Sequence, residues 1–478
     1  MPTGLSGSER DGLSLAELAG NVRAGRVAPE ELVASSQVRI DSMNGGLNAV
    51  VARCDEEALA RAGEMAGRIA AGEDPGPLAG LPLLVKDTDD AAGMVTTHGS
   101  LMHANDPPAL HDGLVVGRLR AAGAIVVGKT NVPEFAFEGF TSNRVFGPTR
   151  NPWAADRSPG GSSGGSGAAL AAGLAAIATA SDGGGSVRIP AGFCGLAGLK
   201  PTNGVIGRGT IPAWIDFSTK GPLATSIADL RLLLSVMAGP AAGDPTALPA
   251  WANEPEPSSL PGRVFAARRL VAWGPRPPSI SDLFDAALRR LESGLGLEVV
   301  PLEPHEIFRV GNIDEDWLTI AATEHAQSIG RATIEANAPS YSDEFLAAVQ
   351  TGLGYTLEEY MAARARRFDY VRELDSLLGE DGLLLTPTMC AEGWSAEGYL
   401  PGAIHAGTPG DAYNCQAANV TGNPALSVPA GRAPNGVPFG LQIMGPRFRD
   451  RLVLALGEAW ERISPWPLSA PGYEPFGP

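Results

Sequence analysis

A stretch rich in glycine and serine, residues 158–188, constrains the fold of this chain more than any other segment. Its first loop reads Ser158-Pro-Gly-Gly-Ser-Ser-Gly-Gly-Ser-Gly167, and its second reads Ser181-Asp-Gly-Gly-Gly-Ser-Val-Arg188. Glycine at this density lets backbone N–H groups turn toward one point and lets a ligand approach the main chain, while serine adds hydroxyl groups. The small apolar residues of 167–180 predict one buried helix that sets the distance between the two loops. The stretch therefore has the composition of a reaction centre.

The overall composition excludes several classes of function. The chain of 478 residues carries 36 basic and 53 acidic side chains, a net charge of -17, which disfavours nucleic acids and anionic membranes as partners. No uncharged apolar run approaches the roughly 20 residues of a membrane span, and the first residues lack a signal-peptide pattern, so we expect a soluble, cytoplasmic protein. The four cysteines are scattered without C-x-x-C spacing, which predicts reduced core thiols and neither a disulfide framework nor a zinc site.

The pattern of apolar residues predicts an α/β fold. Short apolar runs typical of strands buried on both faces occupy residues 81–85, 124–127, 383–385, 425–428 and 440–443. Helical spacing dominates residues 13–71, 114–122, 226–237, 280–291 and 316–378. We expect the last strands to rejoin the first sheet, which gives one large domain with a central twisted mixed β-sheet covered by helices on both faces. Its expected parts are a helical lead-in, a core, a variable helical cover, and closing strands with a helix, at residues 12–75, 80–235, 245–375 and 380–478.

The first predicted strand ends directly at Lys86, and this lysine can be combined with the serines of the two loops. A serine hydroxyl is a poor nucleophile until a base takes its proton, and a lysine kept neutral by burial can serve as that base. If Ser186 attacks a carbonyl, the N–H groups of Gly183, Gly184, Gly185 and Ser186 form a nest for the oxyanion. Asp182 and Arg188 flank this nest and are expected to form a local ion pair that holds the loop.

Three other interpretations of these motifs are disfavoured. A flexible Gly/Ser linker does not fit the apolar residues between the loops. Residues 161–165 match the G-x-S-x-G nucleophile elbow, but no buried strand precedes them, and the downstream histidines His325 and His405 lack the context of a catalytic base. Residues 123–130 match the phosphate-loop pattern G-x-x-x-x-G-K-T, yet the four middle residues, Ala-Ile-Val-Val, are strand formers. A nucleotide-binding protein is therefore the weakest alternative.

At these motifs the chain resembles the amidase signature family of serine amidohydrolases. The resemblance covers roughly residues 80–235 and 380–445 and rests on these segments: Gly80-Leu-Pro-Leu-Leu-Val-Lys-Asp87, 123–131, Pro159-Gly-Gly-Ser-Ser-Gly-Gly-Ser166, Ser181-Asp-Gly-Gly-Gly-Ser-Val-Arg-Ile-Pro190, Gly198-Leu-Lys-Pro-Thr202 and Gly436-Val-Pro-Phe-Gly-Leu-Gln-Ile-Met-Gly445. It implies a triad in which Ser186 is the nucleophile, Ser162 is a bridging serine on a cis peptide bond and Lys86 is the base. Ser163 is expected to support the site.

The resemblance also implies a reaction. An acyl-enzyme would form on Ser186 and be released by water, with no metal or cofactor, from a small amide, carbamate or ester substrate. An alternative is a glutamine-amidotransferase-type subunit that releases ammonia for tRNA-linked transamidation, but Ser218-Thr-Lys-Gly-Pro222 departs from that subgroup's sequence. Many members carry a larger residue where this chain has Gly183, which is expected to loosen the loop and widen the pocket. A homodimer is compatible with the resemblance.

Overall fold

Helices and strands alternate along the chain in the computed structural model, which describes residues 12–209, 213–214, 216–248, 254–271, 277–399 and 414–477. The helices are α1 (Leu15–Arg23), α2 (Pro29–Leu47), α3 (Asp55–Ala70), α4 (Leu114–Ala121), α5 (Gly164–Ala171), α6 (Arg188–Cys194), α7 (Ile227–Met237), α8 (Pro278–Leu295), α9 (Pro304–Ile307), α10 (Ile313–Ile329), α11 (Arg331–Ala336), α12 (Asp343–Gly354), α13 (Leu357–Leu378), α14 (Gln416–Thr421) and α15 (Asp450–Ile463). Short 3-10 turns lie at Glu134–Ala136 and Ala338–Ser340.

The strands form two larger sheets and one short ladder. They are β1 (Val50–Arg53), β2 (Pro82–Lys86), β3 (Ile125–Thr130), β4 (Ile177–Ala178), β5 (Ser181–Asp182), β6 (Ala197–Lys200), β7 (Thr219–Lys220), β8 (Leu223–Ala224), β9 (Arg263–Ala266), β10 (Glu298–Pro301), β11 (Leu384–Pro387), β12 (Ala425–Arg432) and β13 (Pro438–Met444). The first sheet has the order β1-β3-β2-β4, and the second has the order β10-β9-β11-β13-β12-β6-β8. Both sheets contain parallel and antiparallel neighbours, so the predicted mixed α/β architecture is confirmed.

The short ladder β5-β7 joins the two larger sheets. It pairs Ser181 with Lys220 and Asp182 with Thr219, immediately after β4 and immediately before β8. The N–H of Gly221 also donates to the carbonyl of Ala180 at 3.2 Å. The expectation that the last strands rejoin the first sheet is wrong, because β11, β12 and β13 lie in the second sheet. The ladder connects the two sheets, and the second Gly/Ser loop begins on it.

Helices cover both faces of the second sheet. Successive side chains of a strand point to opposite faces. Leu426 of β12 lies against Gly457 of α15, whereas the adjacent Ser427 faces Gly192 of α6. Among the helices of the described ranges, none combines the length and the apolar character that crossing a bilayer requires.

The prediction of a single helix over residues 167–180 is wrong. Helix α5 ends at Ala171, and the chain turns at Gly173, whose φ is 64°. It then forms β4, which pairs in parallel with Leu83 and Leu84 of β2. A short apolar run cannot be assigned to a buried helix or a buried strand from its pattern alone, and here the second half of the run becomes a strand.

The prediction of a helical cover at 245–375 left out two strands. The segment contains the helices α8 to α13, but it also contributes β9 and β10, which pair in parallel and extend the edge of the second sheet. Strand β10 is half exposed, as expected for a strand at a sheet edge, so its sequence lacks the continuous apolar pattern of the buried strands.

The segment that matches a phosphate loop is strand β3. All of its residues are buried, and its lysine, Lys129, forms a buried ion pair with Asp87 at 3.2 Å. Lys129 also donates to the hydroxyl of Thr96 at 2.6 Å. Because a phosphate loop needs a pliable backbone and an accessible lysine, the nucleotide-binding alternative loses its site.

We predict that Lys129→Ala lowers the free energy of unfolding by about 3–5 kcal/mol, because it leaves the Asp87 carboxylate buried without its cation. Urea denaturation measures the change. The control is Arg61→Ala, which removes an exposed pair with Glu64 and costs about 1 kcal/mol or less. A loss for Lys129→Ala no larger than that of the control, or a rise in the wild-type melting temperature on adding ATP, contradicts this view of Lys129.

Candidate active site

The site is built around Lys86, the last residue of the fully buried strand β2. Its side chain has no exposed surface, and Nζ lies 2.8 Å from Ser162 Oγ, 2.9 Å from Ser163 Oγ and 2.9 Å from Ser181 Oγ. The backbone N–H of Lys86 donates to Thr179 Oγ1 at 2.8 Å. The strand therefore carries the amine to a fixed point where hydroxyl groups from both Gly/Ser loops converge.

Burial lowers the pKa of Lys86 to about 7. The nearby ammonium of Lys220 lowers this pKa further, whereas the carboxylates of Asp89 and Asp182 oppose the shift. Lys220 forms an ion pair with Asp89 and stands opposite Ser181 in the β5-β7 ladder. A lysine with a pKa near neutrality is present in both protonation states at physiological pH, so it can accept and return a proton.

Ser162 and Ser163 occupy the first loop, just before α5. The peptide bond between Gly161 and Ser162 is cis, as the resemblance implies. Ser163 Oγ accepts from Lys86, and its hydroxyl donates to the carbonyl of Ser181 at 3.3 Å. The proton of Ser163 is thus directed away from the lysine, which leaves Ser162 and Ser181 as the hydroxyl groups that can exchange a proton with Lys86.

Asp182 and Arg188 form the predicted ion pair, at 2.8 Å, and neither side chain has exposed surface. The Asp182 carboxylate also accepts from the backbone N–H groups of Gly185 at 2.8 Å and Val187 at 3.1 Å. Burial alone would raise the pKa of Asp182, but the charge and hydrogen bonds of Arg188 and the amide of Asn419 outweigh it and hold this pKa below its usual range. The carboxylate therefore organises the second loop from its inner side.

Arg188 ties the same loop to the C-terminal strands. Besides its two bonds to Asp182, its guanidinium donates to the carbonyl of Cys415 at 2.8 Å, to Gln442 Oε1 at 2.8 Å and to Asn419 Oδ1 at 2.6 Å. All five N–H donors of the guanidinium are used in this way. The loop is consequently fixed to strand β13 and helix α14.

The prediction that Gly185 contributes to the oxyanion nest is wrong. The N–H of Gly185 donates to Asp182 and is turned away from any ligand. The N–H groups of Gly183, Gly184 and Ser186 have no hydrogen-bond partner within the part of the chain that the structure describes. These three groups remain available to an oxygen in the site.

The expectation that Gly183 loosens the loop and widens the pocket is also wrong. The indole of Trp214 lies over this glycine, and a Cβ atom at Gly183 would sit 2.6 Å from Trp214 Cζ3. The backbone N–H of Trp214 donates to Glu324 at 2.6 Å, and its ring packs against His325 at 4.8 Å between centroids. The space of a larger residue is therefore filled by a tryptophan from another part of the chain.

A cavity of about 920 Å³ opens onto Ser162, Ser181, Gly183 and Ser186. Ser186 is half buried, and its carbonyl accepts from the N–H of Ser163 at 3.3 Å, which ties the two loops together. Lys220 lies in the same wall. The aromatic side chains in the cavity lining are His98, His103, His111, Phe135, Trp214 and His325.

Within the described residues, no histidine is hydrogen-bonded to Ser162, Ser181 or Ser186, so none completes a serine–histidine arrangement there. His325 is buried, its Nε2 lies 3.4 Å from Trp214 Nε1, and burial lowers its pKa to about 4. Its ring packs against the aromatic rings of Phe137, Trp214 and Phe345. His405, the other candidate base, lies outside the described residues.

Sequence reasoning missed several residues of the site. Ser181 lies within a recognised motif, but its contact with Lys86 depends on the fold of the loop. Asp89 follows Lys86 in the sequence and is brought to Lys220 by the β5-β7 ladder. Trp214 and Trp317 lie in segments without a recognisable motif, and no signal in a single sequence indicates that they reach the second loop.

Comparisons with known proteins agree with this geometry. A sequence model of the family described as Amidase matches residues 31–454. An acylamidase of Rhodococcus erythropolis is 34% identical over 466 residues, which is 95% of this chain and 96% of that protein. The glutamyl-tRNA(Gln) amidotransferase of Synechococcus sp. (strain CC9605) contains a subunit that is 33% identical over 472 residues, which is 93% of this chain and 94% of that protein.

A solved structure has the same fold. The crystal structure of a bacterial aryl acylamidase of the amidase signature enzymes superposes with a TM-score of 0.86 at 27% identity, and the match covers 96% of this chain and 97% of that chain. The match of the family model and the relatives above 30% identity extend over nearly the whole sequence. The chain therefore belongs to the amidase family.

Proposed function

We propose that this chain is a serine amidohydrolase that cleaves the C–N bond of a small amide through an acyl-enzyme on Ser186. As a member of the amidase family it is a hydrolase acting on carbon–nitrogen bonds other than peptide bonds. The observation that carries the proposal is the buried Lys86, with a pKa of about 7, in contact with Ser162 at the wall of the cavity that Ser186 also lines. The proposal treats the whole chain as one amidase domain.

In the proposed first step the neutral amine of Lys86 takes a proton from Ser162 while Ser162 takes the proton of Ser186. The oxygen of Ser186 then attacks the substrate carbonyl, and the carbonyl oxygen becomes an oxyanion. The N–H groups of Gly183, Gly184 and Ser186 are the donors placed to stabilise this charge, and each well-aligned donor contributes about 3 kcal/mol in comparable sites.

The second step returns the proton. The protonated Lys86 passes it through Ser162 to the nitrogen of the leaving group, so that the C–N bond breaks and a neutral amine departs. Water then attacks the ester on Ser186, with the same relay acting as the base. Each residue ends in the protonation state in which it began, so the site needs no other proton donor.

The cavity supports a substrate of moderate size with an aromatic or apolar group. A volume of about 920 Å³ falls within the range of small-molecule sites, and Trp214, His325 and Phe135 supply flat apolar surfaces. The acylamidase and aryl acylamidase relatives support an acyl amide as the substrate class. Carbamates and esters are included in the proposal because the acyl-enzyme chemistry is the same.

A second candidate function is the glutamine-dependent release of ammonia, which the amidotransferase relatives support. Glutamine is small and strongly polar, whereas the wall near Gly183 is formed by Trp214. The segment Ser218-Thr-Lys-Gly-Pro222 also places a lysine, Lys220, in the site. The tryptophan wall favours hydrolysis of an apolar amide.

We predict that a fluorophosphonate probe labels the wild-type protein at Ser186, because this is the activated hydroxyl. Mass spectrometry of the labelled peptide identifies the residue. Ser186→Ala is expected to abolish labelling and to lower amide hydrolysis by at least about 10³-fold. The matched control is Ser226→Ala, a helix-capping serine of α7, which should be labelled like the wild type.

The substrate panel for the same proteins comprises aryl anilides, aliphatic amides, aryl carbamates, aryl esters and glutamine, read by release of amine, alcohol or ammonia. Turnover of anilides by the wild type and not by Ser186→Ala is the expected result. Exclusive turnover of glutamine would favour the amidotransferase function, and a folded wild type that neither reacts with the probe nor hydrolyses any member of the panel contradicts the proposal.

We predict that kcat/KM rises with pH through about 7, because Lys86 must lose its proton to act as the base and its pKa lies there. Lys220→Met removes a neighbouring positive charge and leaves the Asp89 carboxylate, so the pKa of Lys86 rises and the midpoint moves up by about one unit. Lys220→Arg keeps the charge and should keep the midpoint. An unchanged midpoint in Lys220→Met contradicts this account.

We propose that the protein is cytoplasmic, which its four free cysteines support. We also propose that it forms a homodimer, which an apolar stripe on α13 supports. Leu357, Met361 and Phe368 lie on one face of α13 and are 76%, 55% and 62% exposed. Two copies of α13 crossing antiparallel on a two-fold axis would place Met361 against Phe368 of the second copy, and Glu358 near its Arg372. The stripe is thus complementary to itself.

The dimer proposal predicts a solution mass of twice 49.3 kDa by light scattering. Phe368→Glu is expected to give a monomer with its amidase activity retained, because the residue is remote from the cavity lining. Val38→Glu, at an exposed site on α2, is the control and should remain dimeric. A monomeric wild type contradicts the proposal.

A further inference from the structure

The second loop is anchored from outside by Trp317, a residue of helix α10. The indole Nε1–H of Trp317 donates to the carbonyl of Gly183 at 2.8 Å, and both residues are buried. Trp317 belongs to an aromatic cluster, with Trp214 at 5.8 Å and Phe137 at 6.4 Å between ring centroids. Its ring is therefore held by aromatic packing in addition to its hydrogen bond with the loop.

This contact sets the direction of one candidate oxyanion donor. In a trans peptide the C=O and the N–H point in opposite directions. Because the carbonyl of Gly183 points to Trp317, the N–H of Gly184 points away from that ring. The next peptide is fixed as well, since the N–H of Gly185 donates to Asp182 at 2.8 Å. Both peptide planes that meet at the Cα of Gly184 are consequently held.

Such anchors are needed because the loop contains three consecutive glycines. Glycine has more backbone freedom than any other residue, and an oxyanion donor stabilises a transition state only if its direction is fixed beforehand. The close approach of the Trp317 ring also explains why residue 184 is a glycine. A Cβ atom at Gly184 would lie 2.6 Å from Trp317 Cζ2, so a side chain there would displace the indole.

We propose that Trp317 is a positioning residue, whose indole N–H fixes the Gly183–Gly184 peptide so that the Gly184 N–H is directed at the carbonyl oxygen of the bound substrate. The inference rests on the proposed amidohydrolase function. It gives helix α10, which lies outside the motif-bearing core, a part in orienting the oxyanion donors. Its effect is confined to the transition state, because the charge on the oxygen develops only there.

The test is Trp317→Phe, which keeps an aromatic ring and removes the N–H. On an anilide that the wild type hydrolyses, kcat is expected to fall at least tenfold with KM changed less than twofold. Affinity for an arylboronic acid, which forms a tetrahedral adduct with the serine, should fall by a similar factor. The acid limb of the pH profile should stay in place, because Lys86 is untouched.

The matched control is Trp466→Phe. Its indole N–H donates to the carbonyl of Thr225 at 2.8 Å, and neither residue lines the cavity, so the variant removes the same kind of hydrogen bond away from the site. Its kcat and KM are expected to stay within twofold of the wild-type values. Equal losses of kcat in the two variants would mean that loss of any such indole bond, and not the bond to Gly183, is responsible, and the proposal would be wrong.

Gly184→Ala keeps the proposal testable if Trp317→Phe is poorly folded, because it disturbs the same contact from the side of the loop. A Cβ at Gly184 pushes on Trp317, and the φ of Gly184 lies outside the left-handed region, so the backbone itself tolerates alanine. Gly184→Ala alone is expected to lower kcat at least tenfold, and an unchanged kcat overturns the proposal. Where Trp317→Phe folds, adding Gly184→Ala to it should cost at most a further threefold, because the anchor is already gone, and independent, multiplicative losses overturn the proposal.

The outcomes separate this inference from the proposed function. If the wild type is inactive on the whole panel and is not labelled at Ser186, the proposed function is refuted, and so is the inference that rests on it. An active, labelled wild type whose Trp317→Phe variant has the same kcat and the same boronate affinity leaves the function intact and refutes the role of Trp317.

Discussion

The buried ion pair between Asp182 and Arg188 is the interaction on which the rest of the site depends. Removing one partner of a buried pair costs about 3–5 kcal/mol because the other charge remains without compensation. Here each partner also forms hydrogen bonds outside the pair. Asp182 holds the backbone of the second loop, and Arg188 binds Cys415, Asn419 and Gln442. Two segments more than 200 residues apart are thereby joined at the reaction centre.

The same segment contains the junction of the two larger sheets. The β5-β7 ladder places Ser181 opposite Lys220, and it brings the cationic Lys220 beside the end of β2, where Lys86 emerges. Burial of Lys86 depends on the first sheet, whereas the nearby charge of Lys220 depends on the connection to the second. The low pKa of Lys86 therefore comes first from its burial at the end of β2 and second from the charge that the junction brings near it.

These dependencies determine how much of the fold and of the site could be predicted from the sequence. The buried strands at Lys86 and Lys129 and the Asp182–Arg188 pair follow from local patterns, because apolar continuity and adjacent opposite charges leave few arrangements. The course of 167–180 could not be predicted, since its residues fit a helix and a strand equally well. Gly185 was expected among the oxyanion donors because composition indicates that a loop can form a nest, but the direction of each N–H depends on a partner such as Asp182.

Trp214 and Trp317 illustrate the largest gap between sequence and site. Three glycines in succession specify only that something must approach the backbone closely. The approaching rings lie 31 residues after Gly183 and 133 residues after Gly184 in the chain. The two rings fill the space above Gly183 and Gly184, so the loop and its cover must be considered as one packed unit. A change in the size of either ring alters the wall of the cavity and the freedom of the loop together. The helices outside the motif-bearing core can thus affect substrate choice and transition-state stabilisation while the ion pair, the serines and the lysine stay in place.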